Sequence, residues 1–522
     1  MGSISTSKLD PKKFTKLYLN GEYVDAKSKD TYSLKNPKDN SVVLEGIPIA
    51  GSEDIDLAVK YAQAAYDGPW RTFSAIQRTE CFNRLAALME EQLIPILSLD
   101  SLTSGNPVSI IPTREKTYIK NAILYYAGWT DKQKGDYLPA DDGFVKLVRH
   151  EPLGVCAAVN PFNAPVATFI FKAAPALATG NVLIVKPSEK TPLGSLALAP
   201  LFEQAGFPKG VIQVVTGAGE TGALLSSHMS IRKISFTGSI PTGKKIQVAA
   251  AQSNLKRVTL ELGKKHPVSR EQALPCVSLS PISFSKLTNS FCTGGKSPAL
   301  VFDDCNLENA VTWTINAILA RSGQVCVAAT RVYVQKSISQ AFIDKYVEKM
   351  KAAASDLGDP QDDSVKLGPL VDQSQFERVK GMIERGKNEA ELVVGGVQHG
   401  DTGCFIEPTV FLNPKADAEI YKKEIFGPVS IVKTFETEEE VLKLANDTEY
   451  GLMSGVFTKD ITRALRVSSI LDSGVVGINC ISYMNMQSPF GGKKQSGLGR
   501  EMGEYALRSF TEPKTVLINM NA

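Results

Sequence analysis

The sequence predicts an α/β fold built on a doubly wound parallel sheet, and two observations lead to that prediction. First, the runs at 155–159, 182–185 and 211–215 are almost wholly apolar, with 234–236 as a fourth, as in strands buried on both faces. Second, stretches of helical period alternate with these runs, which is the βαβ arrangement. Sheets of this kind bind ligands beyond the carboxyl ends of their strands.

The remaining elements follow from the same reasoning. An Asn-Gly turn predicts a hairpin over 17–24, and helical periodicity covers about 55–97 and 116–132. The stretch 145–152 is predicted to be a strand that leaves the main body. A second α/β region begins near Pro298.

Composition excludes several classes of protein. With 522 residues, 43% apolar and 22% charged, the chain can form two or three domains with large cores. A net charge of +3 gives no reason to expect nucleic acid or membrane as a partner. Without a signal sequence or an apolar run of spanning length, we expect a cytoplasmic protein. Eight scattered cysteines and four histidines show no metal-ligand spacing, so no metal site is predicted.

The candidate nucleophile is Cys326 in the run Gly-Gln-Val-Cys. Helical periodicity over 312–320 precedes it, and the strand-like run from Arg331 follows it. A cysteine at such a junction can be reached by solvent and still be held rigidly. A lone cysteine is more often a small buried hydrophobe, so the prediction depends on its companions.

Two further side chains have the chemistry that such a nucleophile requires. Asn163 lies between two prolines in Pro-Phe-Asn-Ala-Pro, so its amide is a candidate oxyanion donor. The alternative is an asparagine that caps its own turn. Glu261 interrupts an apolar strand, where burial would raise its pKa toward that of a useful base. The alternative is an edge-strand carboxylate facing water.

Two loops form a candidate cofactor site. Lys186 and Glu189 follow an apolar strand and can bond adjacent ribose hydroxyls, where the carboxylate favours NAD over NADP. Gly238 and Ser239 start a helix at a position that suits a phosphate. The alternative for each loop is ordinary turn chemistry. The Gly-x-Gly-x-x-Gly pattern at 217–222 lacks a downstream acidic residue before Glu261, so we interpret it mainly as turn and helix-start geometry.

Asn163, Glu261 and Cys326, in this order, resemble the NAD(P)-dependent aldehyde dehydrogenase superfamily over nearly the whole chain. The matching motifs are PFNAP at 161–165, KPSEKTP at 186–192, FTGS at 236–239, LELG at 260–263, GQVC at 323–326, EIFGPV at 424–429 and PFGGKKQSGLGRE at 489–501.

The resemblance implies three structural parts. These are a Rossmann-type nucleotide domain (1–132 and 153–263), an α/β catalytic domain (295–508), and a small bridging β-sheet for oligomerisation (133–152 and 509–519). Family members are dimers or tetramers built on that sheet, so we expect a homodimer or homotetramer acting on a small-molecule aldehyde.

The resemblance also implies roles for individual residues. Cys326 would attack the aldehyde, Asn163 and the Cys326 N–H would hold the oxyanion, and Glu261 would activate water to hydrolyse the thioester. NAD, with NADP as the alternative, would contact a set of residues in both parts: Phe162, Lys186, Ser188, Glu189, Gly219, Phe236, Gly238, Ser239, Gly243, Leu262, Glu424 and Phe426.

One departure from the family pattern interrupts the motif LELGGKSP. LELG ends at Gly263 and GKSP resumes at Gly295, with a proline- and serine-containing segment at 264–294 between them. A structureless loop of this length is unusual in a compact domain. We hypothesise that the segment is a translated intron, because Gly-Lys-Lys at its start, Leu287-Thr288 and Thr293-Gly294 can be encoded by splice donor, branch and acceptor sequences. If it is retained, we expect reduced or absent turnover.

Two alternative functions remain open at this point. One is a coenzyme-A-acylating relative, against which Glu261 argues, and the other is a catalytically inactive NAD-binding or scaffold protein. The substrate itself is not determined by the sequence. Residues such as Tyr118, Tyr483, Met484 and Met486 indicate only apolar pocket walls.

Overall fold

The computed structural model describes residues 9–263 and 295–521. The inserted segment that we interpret as a translated intron therefore lies outside the described residues. Within the described residues, no helix has the length and apolar character needed to cross a bilayer.

The first sheet contains eight strands of the described chain, in the order β19-β11-β10-β7-β8-β9-β1-β2. They are β1 (Leu17–Leu19), β2 (Glu22–Val24), β7 (Val155–Val159), β8 (Val182–Lys186), β9 (Ile212–Val214), β10 (Lys233–Ser239), β11 (Arg257–Gly263) and β19 (Gly497–Leu498). The central strands β7 to β11 pair in parallel, as predicted. The hairpin predicted over 17–24 is confirmed as β1 and β2, and the outer strands β1, β2 and β19 pair antiparallel with their neighbours.

Helices cover both faces of this sheet. They are α1 (Ser52–Asp67), α2 (Pro69–Thr72), α3 (Ala75–Ser104), α4 (Lys116–Ala127), α5 (Pro165–Ala178), α6 (Leu193–Leu198), α7 (Pro200–Gln204), α8 (Gly219–Ser227) and α9 (Ile240–Gln252). Their termini follow local sequence rules: Ser74 and Gln77 form a capping box at the start of α3, and Pro165 occupies the first turn of α5. Every residue of α5 is buried, including its one charged residue, Lys172.

The second sheet contains seven strands of the described chain, in the order β14-β15-β16-β13-β12-β17-β18. They are β12 (Ser297–Val301), β13 (Ala329–Gln335), β14 (Glu391–Val394), β15 (Thr409–Leu412), β16 (Val429–Phe435), β17 (Met453–Phe457) and β18 (Val475–Ile478). The accompanying helices are α10 (Leu307–Leu319), α11 (Ser339–Ala352), α12 (Gln373–Gly386), α13 (Glu419–Lys422), α14 (Glu438–Asn446), α15 (Ile461–Ile470) and α16 (Gly503–Ser509).

Two smaller sheets complete the described chain. β3 (Thr31–Lys35) pairs with β4 (Val42–Pro48), and β6 (Phe144–Pro152) lies between β5 (Asp136–Leu138) and β20 (Thr511–Asn519). β6 and β20 pair antiparallel over nine residues, which joins the middle of the chain to its C-terminal segment.

The strand β19 brings a late part of the chain to the edge of the first sheet. Leu498 pairs with Leu260 and Gly497 pairs with Glu261 on β11. This pairing places the 490–501 segment beside the proposed base, between the two large sheets.

Candidate active site

Cys326 follows a strained turn at the end of α10. A short helical turn with tighter hydrogen bonding continues α10 through Ala320–Gly323, but Arg321 and Ser322 have left-handed φ values of 50° and 53°. Non-glycine residues occupy that region at a cost of about 1–2 kcal/mol each, so the surroundings must hold them. Ser322 Oγ donates to the carbonyl of Gly368 at 2.6 Å, which is one such restraint. The half-buried Cys326 then leads into β13.

The thiol of Cys326 is protonated in its resting environment. Burial, followed by the carboxylates of Glu424 and Glu261, raises the pKa of Cys326 to about 12. Thiolate formation therefore requires a nearby group that takes the proton. The same effect indicates that Glu261 and Glu424 both lie close enough to act on the sulfur electrostatically.

Gly295, just before β12, lies between Cys326 and Glu424. A Cβ added to Gly295 would lie 1.9 Å from the carbonyl oxygen of Cys326, so only glycine fits this crossing. The Gly295 N–H donates to Glu424 Oε1 at 3.1 Å. Gly295, the first described residue after the inserted segment, thus lies against both Cys326 and Glu424.

Asn163 lies between β7 and α5, with its side chain directed to the cysteine loop. Its Nδ2 donates to the carbonyl of Gln324 at 2.8 Å. An amide carries two N–H donors, so this bond fixes the orientation of the group and leaves the second donor for another acceptor. The structure thereby brings Asn163 into contact with a residue two positions before Cys326.

Glu261 is buried in β11, with 5% of its surface exposed. Neither carboxyl oxygen has a hydrogen-bond partner among the residues that the structure describes. Burial, and then the charge of Glu501, raises the pKa of Glu261, while Lys172 and Arg500 oppose that rise. The alternative of a solvent-facing edge glutamate is therefore wrong, because β11 is covered by β19.

Gly491 provides the space for this carboxyl. A Cβ at Gly491 would lie 2.6 Å from Glu261 Oε1, so a larger residue would displace one of the two groups. The close approach of a backbone to a buried side chain explains why glycine is required here.

Sequence reasoning missed a buried polar cluster next to Glu261. Lys172 Nζ contacts Glu501 Oε1 and donates to Ser235 Oγ at 2.8 Å, and Ser235 Oγ donates to Glu501 Oε1 at 3.1 Å. The signal was present in the sequence, because a lysine inside the apolar helix α5 must be paired or lose its charge.

The first predicted cofactor loop has the expected geometry at the end of β8. Lys186 is 3% exposed, and its Nζ lies 4.0 Å from Glu189 Oε2. Burial lowers the pKa of Lys186, and the charge of Glu189 opposes this effect. Ser188 lies between them, but its hydroxyl accepts from the Lys190 N–H at 3.3 Å and so serves the turn itself.

The second predicted loop starts α9. Ser239 is the N-cap, and its Oγ accepts from the Thr242 N–H at 3.3 Å. A Cβ at Gly243 would lie 2.3 Å from Leu262, so this glycine allows helix α9 to pack against β11. The helix N-terminus, with its free N–H groups, is suited to an anion.

Two further residues of the predicted cofactor site are glycines. A Cβ at Gly238 would lie 2.4 Å from the ring of Phe236, so these two residues pack in close contact. Gly219 is the first residue of α8, and a Cβ there would meet no atom within 4 Å. The Gly-x-Gly-x-x-Gly pattern thus forms a turn and a helix start, as predicted.

An aromatic pair joins the loop after β7 of the first sheet to the loop before β16 of the second sheet. The rings of Phe162 and Phe426 meet edge to face with centroids 5.8 Å apart. Phe426 has a left-handed φ of 53°, and Gln375 Nε2 donates to its carbonyl at 2.6 Å. The adjacent Glu424 is 2% exposed.

These groups fit an adenine dinucleotide. The buried Lys186 and the neighbouring Glu189 offer complementary bonds to ribose hydroxyls, and the starts of α8 and α9 suit phosphates. Within the described residues, no cluster of His, Cys, Asp and Glu could hold a metal ion.

Comparisons with known proteins identify the family of the chain. The model of the aldehyde dehydrogenase family matches residues 23–269 and 287–516, which leaves 270–286 unmatched. Aldehyde dehydrogenase 1A1 of Gallus gallus is 41% identical over 97% of this chain and 94% of its own length. Retinaldehyde dehydrogenase 3 of Homo sapiens is 40% identical over 97% of this chain and 93% of its own.

Solved structures give the same result. The NAD+ complex of aldehyde dehydrogenase from Bacillus cereus superposes with a TM-score of 0.89 at 37% identity, over 98% of this chain and 99% of that one. An indole-3-acetaldehyde dehydrogenase from P. syringae, in complex with NAD+ and IAA, gives 0.88 at 33% identity, over 97% and 96%. The chain therefore belongs to the aldehyde dehydrogenase family and is an NAD(P)-dependent aldehyde dehydrogenase.

Proposed function

We propose that the protein oxidises an aldehyde to a carboxylic acid through a thioester on Cys326, with NAD as the preferred cofactor. The observation that carries the proposal is the convergence on one sulfur. Asn163 bonds the loop of Cys326, and the charges of Glu261 and Glu424 both act on its thiol. These contacts support the roles of nucleophile for Cys326, oxyanion donor for Asn163 and base for Glu261.

Cofactor binding would use groups on both sides of the cleft. Lys186 and Glu189 would hold the adenosine ribose, Ser239 and the start of α9 a phosphate, and Glu424 the nicotinamide ribose. When bound, the oxidised nicotinamide accepts the hydride that leaves the aldehyde carbon. A carboxylate at Glu189 would repel a 2′-phosphate, which favours NAD over NADP.

Acylation begins when Cys326 transfers its proton to a base, for which the two carboxylates that act on its sulfur, Glu424 and Glu261, are the candidates. The sulfur forms a bond to the carbonyl carbon, and the π electrons of that carbonyl move onto its oxygen. The second N–H of Asn163 and the backbone N–H of Cys326 would donate to this oxyanion. Loss of hydride then leaves a thioester on Cys326.

Hydrolysis is the step assigned to Glu261. Its carboxylate removes a proton from water, the hydroxide oxygen bonds to the thioester carbon, and the carbon–sulfur bond breaks. Glu261 and Glu501 are two neighbouring carboxyls with Lys172 as a shared cation. Burial and the charge of Glu501 raise the pKa of Glu261, which makes its carboxylate a stronger base than an exposed glutamate.

The substrate class that we propose is an aldehyde with an apolar chain. Tyr118 meets Phe171 edge to face with centroids 5.1 Å apart, and its hydroxyl lies 3.7 Å from Met502 Sδ. These side chains support the proposal that the substrate pocket has an apolar wall. Relatives named for retinaldehyde and indole-3-acetaldehyde agree with bulky apolar substrates.

We also propose a homodimer or homotetramer that assembles through β5, β6 and β20. This sheet exposes large apolar side chains, including Tyr137 at 65% and Leu517 at 62%. Exposed apolar surface of this kind marks association sites. Light scattering of the purified protein gives the mass of the oligomer directly.

The names of cytosolic relatives support a cytoplasmic location.

One assay tests the catalytic proposal. Purified protein is mixed with NAD or NADP and a series of alkyl and aryl aldehydes, and NADH absorbance is followed. We expect turnover that is faster with NAD, and we expect Cys326→Ala to abolish it. NAD binding without turnover would favour the inactive binding protein, and turnover that depends on coenzyme A would favour the acylating alternative.

The inserted segment is tested separately. Transcript sequencing, and mass spectrometry of the native protein for peptides from 270–290, decide whether the segment is translated. Such peptides would end the intron hypothesis.

A further inference from the structure

Arg321 forms a bridge among three parts of the chain that sequence reasoning did not connect. Its Nη1 donates to the carbonyl of Asn163 at 2.6 Å, and its Nη2 donates to Glu115 Oε1 at 2.5 Å. Arg321 belongs to the turn before Cys326, and Glu115 immediately precedes α4. Both side chains are mostly buried, at 17% and 12% exposure.

These bonds hold the main chain of Asn163, while another bond holds its side chain. The carbonyl of Asn163 accepts from Arg321 and also from Asn106 Nδ2 at 3.1 Å. The amide of Asn163 donates to the carbonyl of Gln324. Because Arg321 and Gln324 flank the same short turn, the nucleophile loop holds Asn163 at both ends.

The turn that carries Arg321 is itself fixed by side-chain bonds. Gln324 Nε2 donates to the Arg321 carbonyl at 3.3 Å, and the Val371 N–H donates to Gln324 Oε1 at 3.1 Å. Left-handed residues such as Arg321 persist only where the surroundings restrain them, and they cluster at functional sites. The planar guanidinium suits this position, because it presents several donors in a rigid fork.

Asp100 is a buried carboxyl on which the charges of Glu115 and Arg321 both act. Asp100 is 3% exposed, and its Oδ1 has no hydrogen-bond partner among the described residues. Burial, and then the charge of Glu115, raises the pKa of Asp100 well above its usual value. The ion pair of Arg321 with Glu115 is formed by a direct hydrogen bond.

We propose that Arg321, braced by Glu115, is a positioning residue that fixes the oxyanion donor Asn163 relative to the Cys326 loop. The inference rests on the proposed function above. Arg321 touches no reacting atom. Its effect is confined to the direction in which the second N–H of Asn163 points. A displacement of about 1 Å in a catalytic group costs on the order of 100-fold in rate.

The test compares two reactions of the same sulfur. Aldehyde attack develops an oxyanion, whereas alkylation by iodoacetamide displaces iodide and develops none at Asn163. In Arg321→Gln we expect the first-turnover rate of NADH formation to fall about 100-fold. The alkylation rate of the Cys326 peptide, followed by mass spectrometry, and the Kd of NAD should stay within about twofold of wild type. Parallel loss of both rates would show a general collapse of the loop and overturn the proposal.

The second part of the experiment tests whether Arg321 acts through Asn163. On an Asn163→Ala background the donor is already lost, so adding Arg321→Gln should change the rate less than about threefold. Additive losses would overturn the proposal. If Asn163→Ala itself keeps the wild-type rate, the oxyanion assignment in the proposed function fails. If it loses the rate and Arg321→Gln does not, only the present inference fails.

Further variants guard against misfolding and against another role for the arginine. Glu115→Gln keeps Arg321 and should lower the first-turnover rate by a smaller factor, and Arg321→Lys should recover part of it. The matched control is Arg466→Gln, which breaks a two-bond pair with Glu438 far from the site and should leave the rate unchanged. A raised KM for anionic aldehydes alone would assign Arg321 to substrate binding and overturn the proposal.

Discussion

Asn163 and Glu261 lie near the same thiol but differ in how fully they are hydrogen-bonded. The carbonyl and the side-chain amide of Asn163 both have partners, in Arg321, Asn106 and Gln324. Both carboxyl oxygens of Glu261 lack one among the described residues. A satisfied polar group has a fixed direction, whereas an unsatisfied one keeps its capacity to bind water and a proton.

The difference matches the two kinds of work. An oxyanion donor stabilises charge through fixed geometry, so rigid restraint is an advantage. A general base must change its protonation state, so strong permanent bonds to the carboxylate would lower its pKa and reduce its basicity. The two sides of the site thus use opposite solutions to the burial of a polar group.

The largest expected effect comes from Glu261→Gln, which keeps the shape of the base but cannot take a proton. Acylation should still release one NADH per site, while steady-state turnover falls by about 1000-fold. Stopped-flow absorbance shows this as a burst followed by a slow phase. Steady-state turnover within about tenfold of wild type would contradict the assignment of Glu261, since general-base catalysis contributes more than that.

The next effect comes from Lys172→Met, which removes the buried cation beside Glu501. Breaking a buried ion pair costs about 3–5 kcal/mol in the free energy of unfolding, measured by urea denaturation. Because Lys172 lowers the pKa of Glu261, its loss should also move the acidic limb of kcat to higher pH. The control Lys336→Met breaks an exposed pair and should change neither quantity.

Glu501→Gln should move the same limb in the opposite direction. The charge of Glu501 raises the pKa of Glu261, so its removal lets Glu261 ionise at lower pH. The pH profile of kcat should therefore extend to more acidic values. If the acidic limb of kcat stayed unchanged or moved to higher pH, the charge of Glu501 would not control the ionisation of Glu261.

The smallest effect is expected from a variant that weakens the hydrogen bonding of Asn163. Asn106→Ala removes one of the two bonds to the Asn163 carbonyl, while Arg321 remains. One net hydrogen bond contributes about 0.5–1.5 kcal/mol, so the first-turnover rate should fall by about threefold. A loss as large as that in Arg321→Gln would assign the main restraint to Asn106 instead.

The sequence was sufficient for the central strands and for the residues whose type is unusual where they occur. Glu261 in an apolar strand and Asn163 between prolines both lie where they were expected. Arg321 could not be predicted, because its partners Asn163 and Glu115 lie 158 and 206 residues earlier, and nothing local marks the contact. The antiparallel pairings of β1 with β9 and of β19 with β11 could not be predicted for the same reason, since the paired strands lie far apart in the sequence.

The pairing of β19 with β11 has a consequence for the order of synthesis. A ribosome completes β11 at Gly263 but adds Gly497, the partner of Glu261, only much later, near the end of the chain. Until then β11 is an open sheet edge with a carboxyl that no later strand covers. A nascent chain can therefore form most of the first sheet early, but Glu261 reaches its final surroundings only after residue 497 has been added.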